Sequence, residues 1–406
     1  IIDLVMINYF KLRFVFMIRI LRTCYRNIYK GFYKIHPPLH IYCLKILATC
    51  VLLGCANNYN NPLNDFSKDN EIVLVGEEIR FQSDTILFRP RKFEVYDTLA
   101  IFNDNTGEAG FSIVNLKDGR LVEKFGFAGN GESEMNINAV SMENGVANND
   151  SVFSITQVNS PHKIFRYNWD SLLNKSEYRP KPIFYSTKIT FSNTYFLNDS
   201  ILFGKFLTSN MDNKTFGVLN LYTNKLTTGI EVPGNENNKT QSEKDSLYFK
   251  YLNMRMDNRV AYRPGSFHEF ACFSGKGAVI QIISVDKNYR LKKKYQKVYY
   301  LPTFNLLVGP NSKKIVAGKD SKKGFRNIAV SDKNIFALYS GPLLNDSDEN
   351  FNISDIVLVY DWEGNPVNRI KLDRKVNTIA IDRENFTHLY GMMDSNKLIK
   401  YVLSEN

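Results

Sequence analysis

The chain has 406 residues, of which 44% are hydrophobic and 23% charged, and its formal net charge is +11 at pH 7. This composition excludes an intrinsically disordered chain, and the length suits one large domain or two average ones. Aromatic residues make up 13% of the chain. Because aromatic side chains favour strands, the composition indicates a β-rich fold.

The positive charge is concentrated at the N terminus. Residues 1–54 hold eight Lys or Arg and one acid, so they carry +7 of the +11, and +4 remains for residues 55–406. Nucleic-acid binding requires a concentrated basic stripe, and a charge of +4 over a large domain is a mixed surface. We therefore expect no nucleic-acid partner.

The cysteines divide in the same way. Cys24, Cys43, Cys50 and Cys55 lie in the N-terminal segment, and Cys272 lies in the body of the chain. One cysteine provides neither an intramolecular disulfide nor a Cys-based metal site. We expect Cys272 to be buried as a small apolar residue.

Residues 46–54 are uncharged and mostly apolar. This run suits the core of a signal peptide and is well short of the ~20 residues that a membrane span needs. It ends in Leu52-Leu53-Gly54-Cys55, which resembles the lipobox of bacterial lipoproteins. The resemblance implies cleavage between Gly54 and Cys55 and attachment of lipid to Cys55. The alternative is a buried helix that ends in Gly-Cys.

The expected organisation is a leader over residues 1–54, a lipidated Asn-rich tether over 55–70, and a folded body over 71–406. Polar, turn-rich residues after Ala56 favour a tether. The protein would then be anchored in the cell envelope through the lipid, facing the periplasm or the cell surface. Residues 1–40 exceed a usual basic n-region, so we expect that the start is placed too early. A basic amphipathic helix on the membrane surface is the alternative for this stretch.

Residues 71–406 contain a pair of hairpins that recurs six times, with a spacing of roughly 40–50 residues. The copies are 93–102 with 111–125, 139–155 with 163–178, 189–206 with 216–232, 251–273 with 279–295, 326–339 with 356–372, and 376–390 with 397–403. Four-strand repeats of this length predict an all-β fold, a six-bladed β-propeller. Residues 71–81 are expected to add a strand that closes the ring against the last blade. Five or seven blades, or a β-sandwich followed by a second β domain, are the alternatives.

Three stretches, residues 95–104, 124–134 and 356–367, resemble the TolB-like six-bladed propellers that occur as exported lipoproteins. The second matches a family pattern, G-x-G-P-G-E, at Gly129, Gly131 and Glu134, and departs from it at Glu132 and Ser133. The resemblance covers residues 71–404 and implies the fold. It implies little about function, because propellers host many unrelated activities.

No catalytic or metal-binding set stands out. His162, His268 and His388 are scattered, and we expect neither a metal nor a cofactor. The glycine-rich stretch 126–134 lacks the ending of a phosphate loop and is interpreted as the crossing between the first two blades.

Propellers bind ligands at the mouth of the central channel, so residues just before the innermost strands are the best candidates for binding. By that criterion Asn138, Arg255, Arg326 and Asn377 are the candidate site. We expect all four to point into one opening.

The leading hypothesis is a monomeric, membrane-anchored binding or scaffold module for an envelope protein, peptide or glycan. The alternative is a propeller lactonase, hydrolase or lyase that acts on carbohydrate with a metal in the channel. That alternative requires acidic, Asn or His side chains from at least three blades to converge on the axis. A third hypothesis is a sensor or assembly subunit of a membrane complex.

Overall fold

The computed structural model describes residues 61–403 with internal gaps. The gaps are 84–85, 89, 147–148, 159–160, 176–177, 188, 208–213, 234–251, 254–255, 257, 267, 310–311, 342–352 and 394–395. The predicted leader and the predicted lipid site at Cys55 lie outside the described residues and remain predictions.

Blade one shows how the sequence forms the repeating unit. Phe93 and Val95 are buried and alternate with more accessible polar residues, as expected of a strand that packs one face on a core. The Asp118-Gly119 turn contains a left-handed residue, Gly119, with φ +67°, and a Cβ there would lie 2.2 Å from the carbonyl oxygen of Arg80. The strands of blade one are β3 (Pro90–Tyr96), β4 (Leu99–Asp104), β5 (Ala109–Asn115) and β6 (Arg120–Phe127), paired antiparallel in chain order.

The same arrangement recurs in the next three blades. Blade two has β7 (Val140–Val146), β8 (Asn149–Gln157), β9 (His162–Asn168) and β10 (Pro182–Ser186), and blade three has β11 (Thr190–Phe196), β12 (Ile201–Leu207), β13 (Lys214–Asn220) and β14 (Lys225–Glu231). Blade four has β15 (Asn258–Tyr262), β16 (Glu269–Ser274), β17 (Ala278–Val285) and β18 (Leu291–Tyr300). A parallel contact between Val146 and Phe196 joins blades two and three at their first strands.

The last two blades each take a strand from the start of the folded region. Blade five has β21 (Phe325–Val330), β22 (Asn334–Tyr339), β23 (Ser354–Asp361) and β24 (Pro366–Val376), with β1 (Glu71–Leu74) added parallel to β24. Blade six has β25 (Thr378–Ile381), β26 (His388–Met392) and β27 (Leu398–Val402), and β2 (Glu77–Ile79) is its outermost strand.

The ring is therefore closed by its two ends. Ile79 of β2 lies opposite Leu398 of β27 in an antiparallel pair. Strand β2, from the N-terminal end of the described propeller, and strands β25 to β27, from its C-terminal end, therefore belong to a single sheet. The prediction that residues 71–81 close the ring is confirmed for β2, and β1 extends blade five instead.

Apolar layers between neighbouring blades form the core. Phe203 of blade three stacks on Phe270 of blade four, with ring centroids 3.9 Å apart, and Phe273 meets Phe325 of blade five at 4.9 Å. Both faces of each blade are covered in this way, which explains why a single blade cannot bury its own surface. Cys272 is buried in one of these layers as expected, and burial raises the pKa of its thiol.

Several elements lie outside the six four-strand units. The sequence analysis did not predict a short helix, α1 (Trp169–Asn174), or a hairpin of β19 (Phe304–Gly309) and β20 (Ser312–Ala317). Short 3₁₀-helices span Pro62–Asp65, Lys68–Asn70 and Ile137–Ala139.

The described part of the predicted tether packs on the propeller. Phe66 is buried against the ring of Tyr360, and the Asp65 carboxylate accepts hydrogen bonds from Tyr299 and Lys297. This part of the predicted tether is therefore held against blades four and five.

Candidate functional site: the central channel

The first strands of the blades surround a central channel. Neighbouring first strands are in contact around much of the ring: β7 with β11, β15 with β21, β21 with β25, and β25 with β3. The contacts are parallel where the bridges define them, as between Val95 and Asp382. All the inner strands therefore begin at the same end of the ring, here called the opening.

The channel has a volume of about 230 Å³ and is lined from five of the six blades. Its described lining holds five cationic side chains and one carboxylate. The cations are Arg91, Lys92, Arg259, Arg326 and Arg383, and the carboxylate is Glu94. The described lining also includes Asn193, Asn327, Asn377 and Thr378, with aliphatic residues between these polar groups.

Three of the arginines occupy the same position in their strands. Arg91, Arg259 and Arg326 are each the second residue of an inner strand, in blades one, four and five. Counting back along both strands from the Val95–Asp382 bridge places Arg91 level with Thr378. The three guanidinium groups therefore lie near the opening.

Hydrogen bonds to main-chain carbonyls of the next blade hold these arginines. Arg259 Nε donates to the carbonyl oxygen of Arg326 at 2.6 Å, and Arg326 Nε donates to that of Asn377 at 3.3 Å. Arg91 Nη1 donates to the carbonyl oxygen of Asn138 at 3.4 Å. Each bond crosses from one blade to the next, so the arginines are fixed by the ring itself.

Glu94 lies farther from the opening. Its carboxylate is 3.6 Å from Lys92 Nζ and 3.6 Å from Arg383 Nε. Two of the five cations, Lys92 and Arg383, therefore share this carboxylate. The three arginines near the opening are not among these two.

Asparagine side chains also link neighbouring inner strands. Asn193 Nδ2 donates to the carbonyl oxygen of Asn258 at 3.0 Å, and the main-chain N–H of Ile379 donates to Asn327 Oδ1 at 3.1 Å. Thr378 differs from them, because its Oγ1 is buried and has no hydrogen-bond partner among the described residues. An unsatisfied buried hydroxyl is costly, and an ordered water is one way in which such a group is satisfied.

Lys323 is buried just before β21, whose first residues lie at the opening. Burial, assisted by the positive charges of Arg326 and Lys276, lowers the pKa of Lys323 to about 8. Burial is the larger cause of this shift, and the two neighbouring cations add to it.

The structure brings two of the four predicted site residues together at the channel. Arg326 and Asn377 both line it and are joined by the bond described above. Asn138 is exposed beside the channel, where its carbonyl oxygen accepts from Arg91. Arg255 lies outside the described residues. The binding role of all four stays a prediction.

The sequence analysis missed Arg91, Arg259, Arg383 and Thr378. One usable signal was the recurrence of Arg directly after the first residue of three inner strands, in Pro90-Arg91, Asn258-Arg259 and Phe325-Arg326. This signal requires the start of each strand to be located within one residue, which strand periodicity alone does not achieve.

The enzyme alternative required acidic, Asn or His side chains from several blades on the axis. Asn193, Asn327 and Glu94 do line the channel, and they make the inter-blade hydrogen bonds and ion pairs given above. Within the described ranges, no group of three or more His, Cys, Asp or Glu side chains could hold a metal ion. The enzyme alternative stays untested.

The histidines occupy separate places. His162 Nε2 lies 3.1 Å from Thr190 Oγ1, and His268 Nε2 lies 3.1 Å from the carbonyl oxygen of Leu197. Burial lowers the pKa of His162, His268 and His388. These contacts place the first two histidines in structural roles at blade edges.

The glycine-rich stretch 126–134 lies between β6 and β7, where the chain crosses from blade one to blade two. Gly131 N–H donates to the Glu134 carboxylate at 2.8 Å, and Lys163 Nζ donates to the carbonyl oxygens of Gly131 and Glu134. The carboxylate and the lysine of this crossing therefore stabilise a loop.

No helix in the part of the chain that the structure describes is long and apolar enough to span a membrane.

The fold and its channel define the chain as a six-bladed β-propeller. A family model described as TolB-like 6-blade propeller-like matches residues 69–384. The chain therefore belongs to the TolB-like six-blade propeller family, which confirms the fold class and the family expected from the sequence. No curated protein matches the sequence significantly.

Solved structures of similar fold include a putative exported protein of Bacteroides fragilis, with 10% identity, 82% of this chain and 95% of that chain covered, and a TM-score of 0.48. A calcium-binding protein, regucalcin, of Agrobacterium tumefaciens has 10% identity, coverages of 81% and 95%, and a TM-score of 0.43. BamB of Moraxella catarrhalis has 8% identity, coverages of 77% and 71%, and a TM-score of 0.35. Similarities at this level carry no information about function.

Proposed function

We propose that the protein is a membrane-anchored lipoprotein of the cell envelope, and that its propeller binds an envelope protein, peptide or glycan at the opening of the central channel. The observation that carries the binding proposal is the convergence of Arg91, Arg259 and Arg326, from three blades, on one opening. Charged side chains held at fixed positions by a rigid ring form a preorganised binding surface.

The lining supports binding more directly than catalysis. The Nε bonds of Arg259 and Arg326 fix the orientation of their guanidinium groups before any ligand arrives. Arg at the centre of an interface often contributes a large share of the binding energy. The proposed ligand therefore presents a negatively charged or strongly hydrogen-bonding group to the opening.

Capture of the full-length protein from detergent extracts of its own membranes tests the binding proposal. The wild type should retain a partner that a double variant, Arg259→Gln with Arg326→Gln, loses. The matched control is Lys117→Gln with Arg120→Gln, which removes the same charge from two exposed residues of the hairpin formed by β5 and β6. Equal retention by the wild type and the channel variant would contradict the proposal.

The anchor proposal rests on the lipobox-like sequence that ends in Cys55. Replacement of Cys55 by Ala should move the protein from the membrane fraction to the soluble fraction and abolish incorporation of labelled fatty acid. The matched control is Cys50→Ala, which changes a cysteine of the preceding apolar run and should leave the protein in the membrane. Retention of the Cys55→Ala protein in the membrane would contradict lipid anchoring at this residue.

A further inference from the structure

The segment that follows the proposed lipid site joins the propeller at the end where the channel opens. Tyr339, the last residue of β22, lies opposite Phe325, the first residue of β21, so it is at this end. Its hydroxyl donates to Asn61 Oδ1 at 3.1 Å and lies 3.1 Å from the hydroxyl of Tyr300. Tyr300 in turn donates to the carbonyl oxygen of Lys323, just before β21, at 2.6 Å. Asn61 is therefore held at the opening end, between blades four and five.

The length of chain between Cys55 and Asn61 limits the distance of this end from the membrane. Asn61 is the sixth residue after Cys55. Six residues of fully extended chain span about 22 Å at most, and any other conformation spans less. With the anchor proposed above, the opening end at blades four and five is therefore held close to the bilayer.

The hairpin of β19 and β20 lies at the same end and in the same sector. It connects the end of β18 to the start of β21, and because strands alternate in direction within a blade, β18 ends where β15 begins. Its two strands form a sheet of their own. Phe304 packs on a cluster that includes Val279 of blade four, whereas Leu307 on the same strand is 53% exposed. The hairpin thus presents a large apolar side chain to solvent beside the point where Asn61 is held.

Lysines lie at the base of this hairpin. Lys319 is exposed just after β20, and Lys276 is partly exposed on the turn between β16 and β17. Lys276 forms an isolated antiparallel bridge with Lys323, so the two segments are adjacent. Residues 312–324 contain five lysines and one acid, Asp320. A basic cluster beside a lipid anchor is attracted to anionic phospholipid headgroups, and each lysine near the surface strengthens the attraction about fivefold.

We infer that the opening end at blades four and five docks on the anionic surface of the bilayer, with Leu307 in the headgroup layer and Lys276 and Lys319 next to the lipid phosphates. The inference rests on the lipid anchor proposed at Cys55 and goes beyond it, because the protein surface supplies a second, separate contact with the membrane. An anchor on a chain leaves the orientation of the domain open, and this second contact fixes it. The docked propeller turns the opening of its channel toward the bilayer.

Fluorescence quenching in reconstituted vesicles tests the inference. The full-length lipoprotein, purified in detergent, is inserted into vesicles of phosphatidylglycerol and phosphatidylcholine that carry a quencher on the lipid headgroup. A fluorescent amino acid replaces Leu307 or, as the matched control, Tyr222, which is 84% exposed on the turn between β13 and β14 at the other end of the blades. The quencher should lower the emission from position 307 at least about twofold and leave that from position 222 unchanged, because an interfacial contact places the first probe among the headgroups.

The charge dependence separates docking on anionic lipid from mere proximity. Lys276→Gln with Lys319→Gln should lower the ratio of docked to undocked protein by about fivefold per lysine, and vesicles of phosphatidylcholine alone should lower it as well. Lys117→Gln with Arg120→Gln removes the same charge at the far end of blade one and should change nothing.

Flotation of the vesicles distinguishes the two ways in which the inference can fail. Protein that floats with the vesicles, but is quenched equally at positions 307 and 222 or equally on neutral and anionic lipid, would overturn the docking and leave the anchor intact. Protein that does not float would contradict the anchor at Cys55, and the docking would fall with it.

Discussion

Arg259 Nε donates to the main-chain carbonyl oxygen of Arg326 at 2.6 Å, and Arg326 repeats the contact with Asn377 in the next blade. The two bonds connect blades four, five and six at one level of the ring. They give these arginines a structural role as well as the proposed binding role, and the two roles lead to separate predictions.

Removal of the Arg326 side chain should destabilise the propeller modestly. Arg326→Gln leaves the carbonyl oxygen of Asn377 without this donor, and the loss of such a bond costs about 1–2 kcal/mol. Urea denaturation should show a lower midpoint at an unchanged slope. The matched control is Lys333→Gln, an exposed residue of the next turn, which should change the stability by less than about 0.5 kcal/mol. Equal midpoints for both variants would mean that the bond contributes nothing to stability.

Because β2 closes the ring, we expect the stability of the protein to be sensitive to substitution of Gly76, which lies between β1 and β2. A Cβ at this position would lie 2.3 Å from Ile399 Cγ2 and 2.6 Å from Tyr401 Cε1, two fully buried side chains of β27. Gly76→Ala should therefore destabilise the protein by about 1–3 kcal/mol, the usual cost of overpacking.

Val75 is 79% exposed and adjacent, so Val75→Ala is the matched control for this experiment and should have little effect. A Gly76→Ala protein as stable as the wild type in urea would contradict the packing of β2 against the last blade.

The lowered pKa of Lys323 predicts that the free energy of unfolding depends on pH. The pKa of this buried lysine is lowered to about 8 in the folded protein, chiefly by burial and also by the charges of Arg326 and Lys276, with Tyr300 donating to its carbonyl oxygen. Its pKa in the unfolded chain is about 10.4. Between these values the unfolded state binds more protons, so the free energy of unfolding rises with pH.

The measurement is the difference between the wild type and Lys323→Met in urea denaturation from pH 7.5 to 9.5. Over this range the wild type should gain about 2 kcal/mol relative to the variant. Lys319→Met, at an exposed lysine before β21, is the control and should show no such trend. A constant difference across the range would mean that Lys323 titrates normally.

The blade repeat was predictable because its signals are local. Alternating apolar residues and turn residues such as Asp118-Gly119 mark each hairpin, and Gly119 adopts the left-handed conformation that this turn requires. The order of strands within a blade follows from pairing each hairpin with the next. Closure by β2 was also predictable, because residues 71–81 precede the six repeats and the last blade needs a fourth strand.

The chemistry of the channel was less predictable. The fourth repeat was placed from residue 251, and the channel arginine of that blade is Arg259, on a strand that begins at Asn258. A shift of a few residues in the start of a strand moves a different side chain to the opening. The burial of the Thr378 hydroxyl depends on tertiary packing, which no local pattern reports.

The central claim, that the propeller binds a partner at the opening of its channel, is tested most directly by photo-cross-linking in intact cells. A photoreactive amino acid replaces Asn138, which is exposed beside the opening, or Tyr222, which is 84% exposed on the turn between β13 and β14 at the other end of the blades. The account predicts a discrete cross-linked product from position 138 that is absent from position 222 and is lost when Arg259→Gln and Arg326→Gln are added. Products from position 222 alone, or products from position 138 that survive the two channel substitutions, would contradict it.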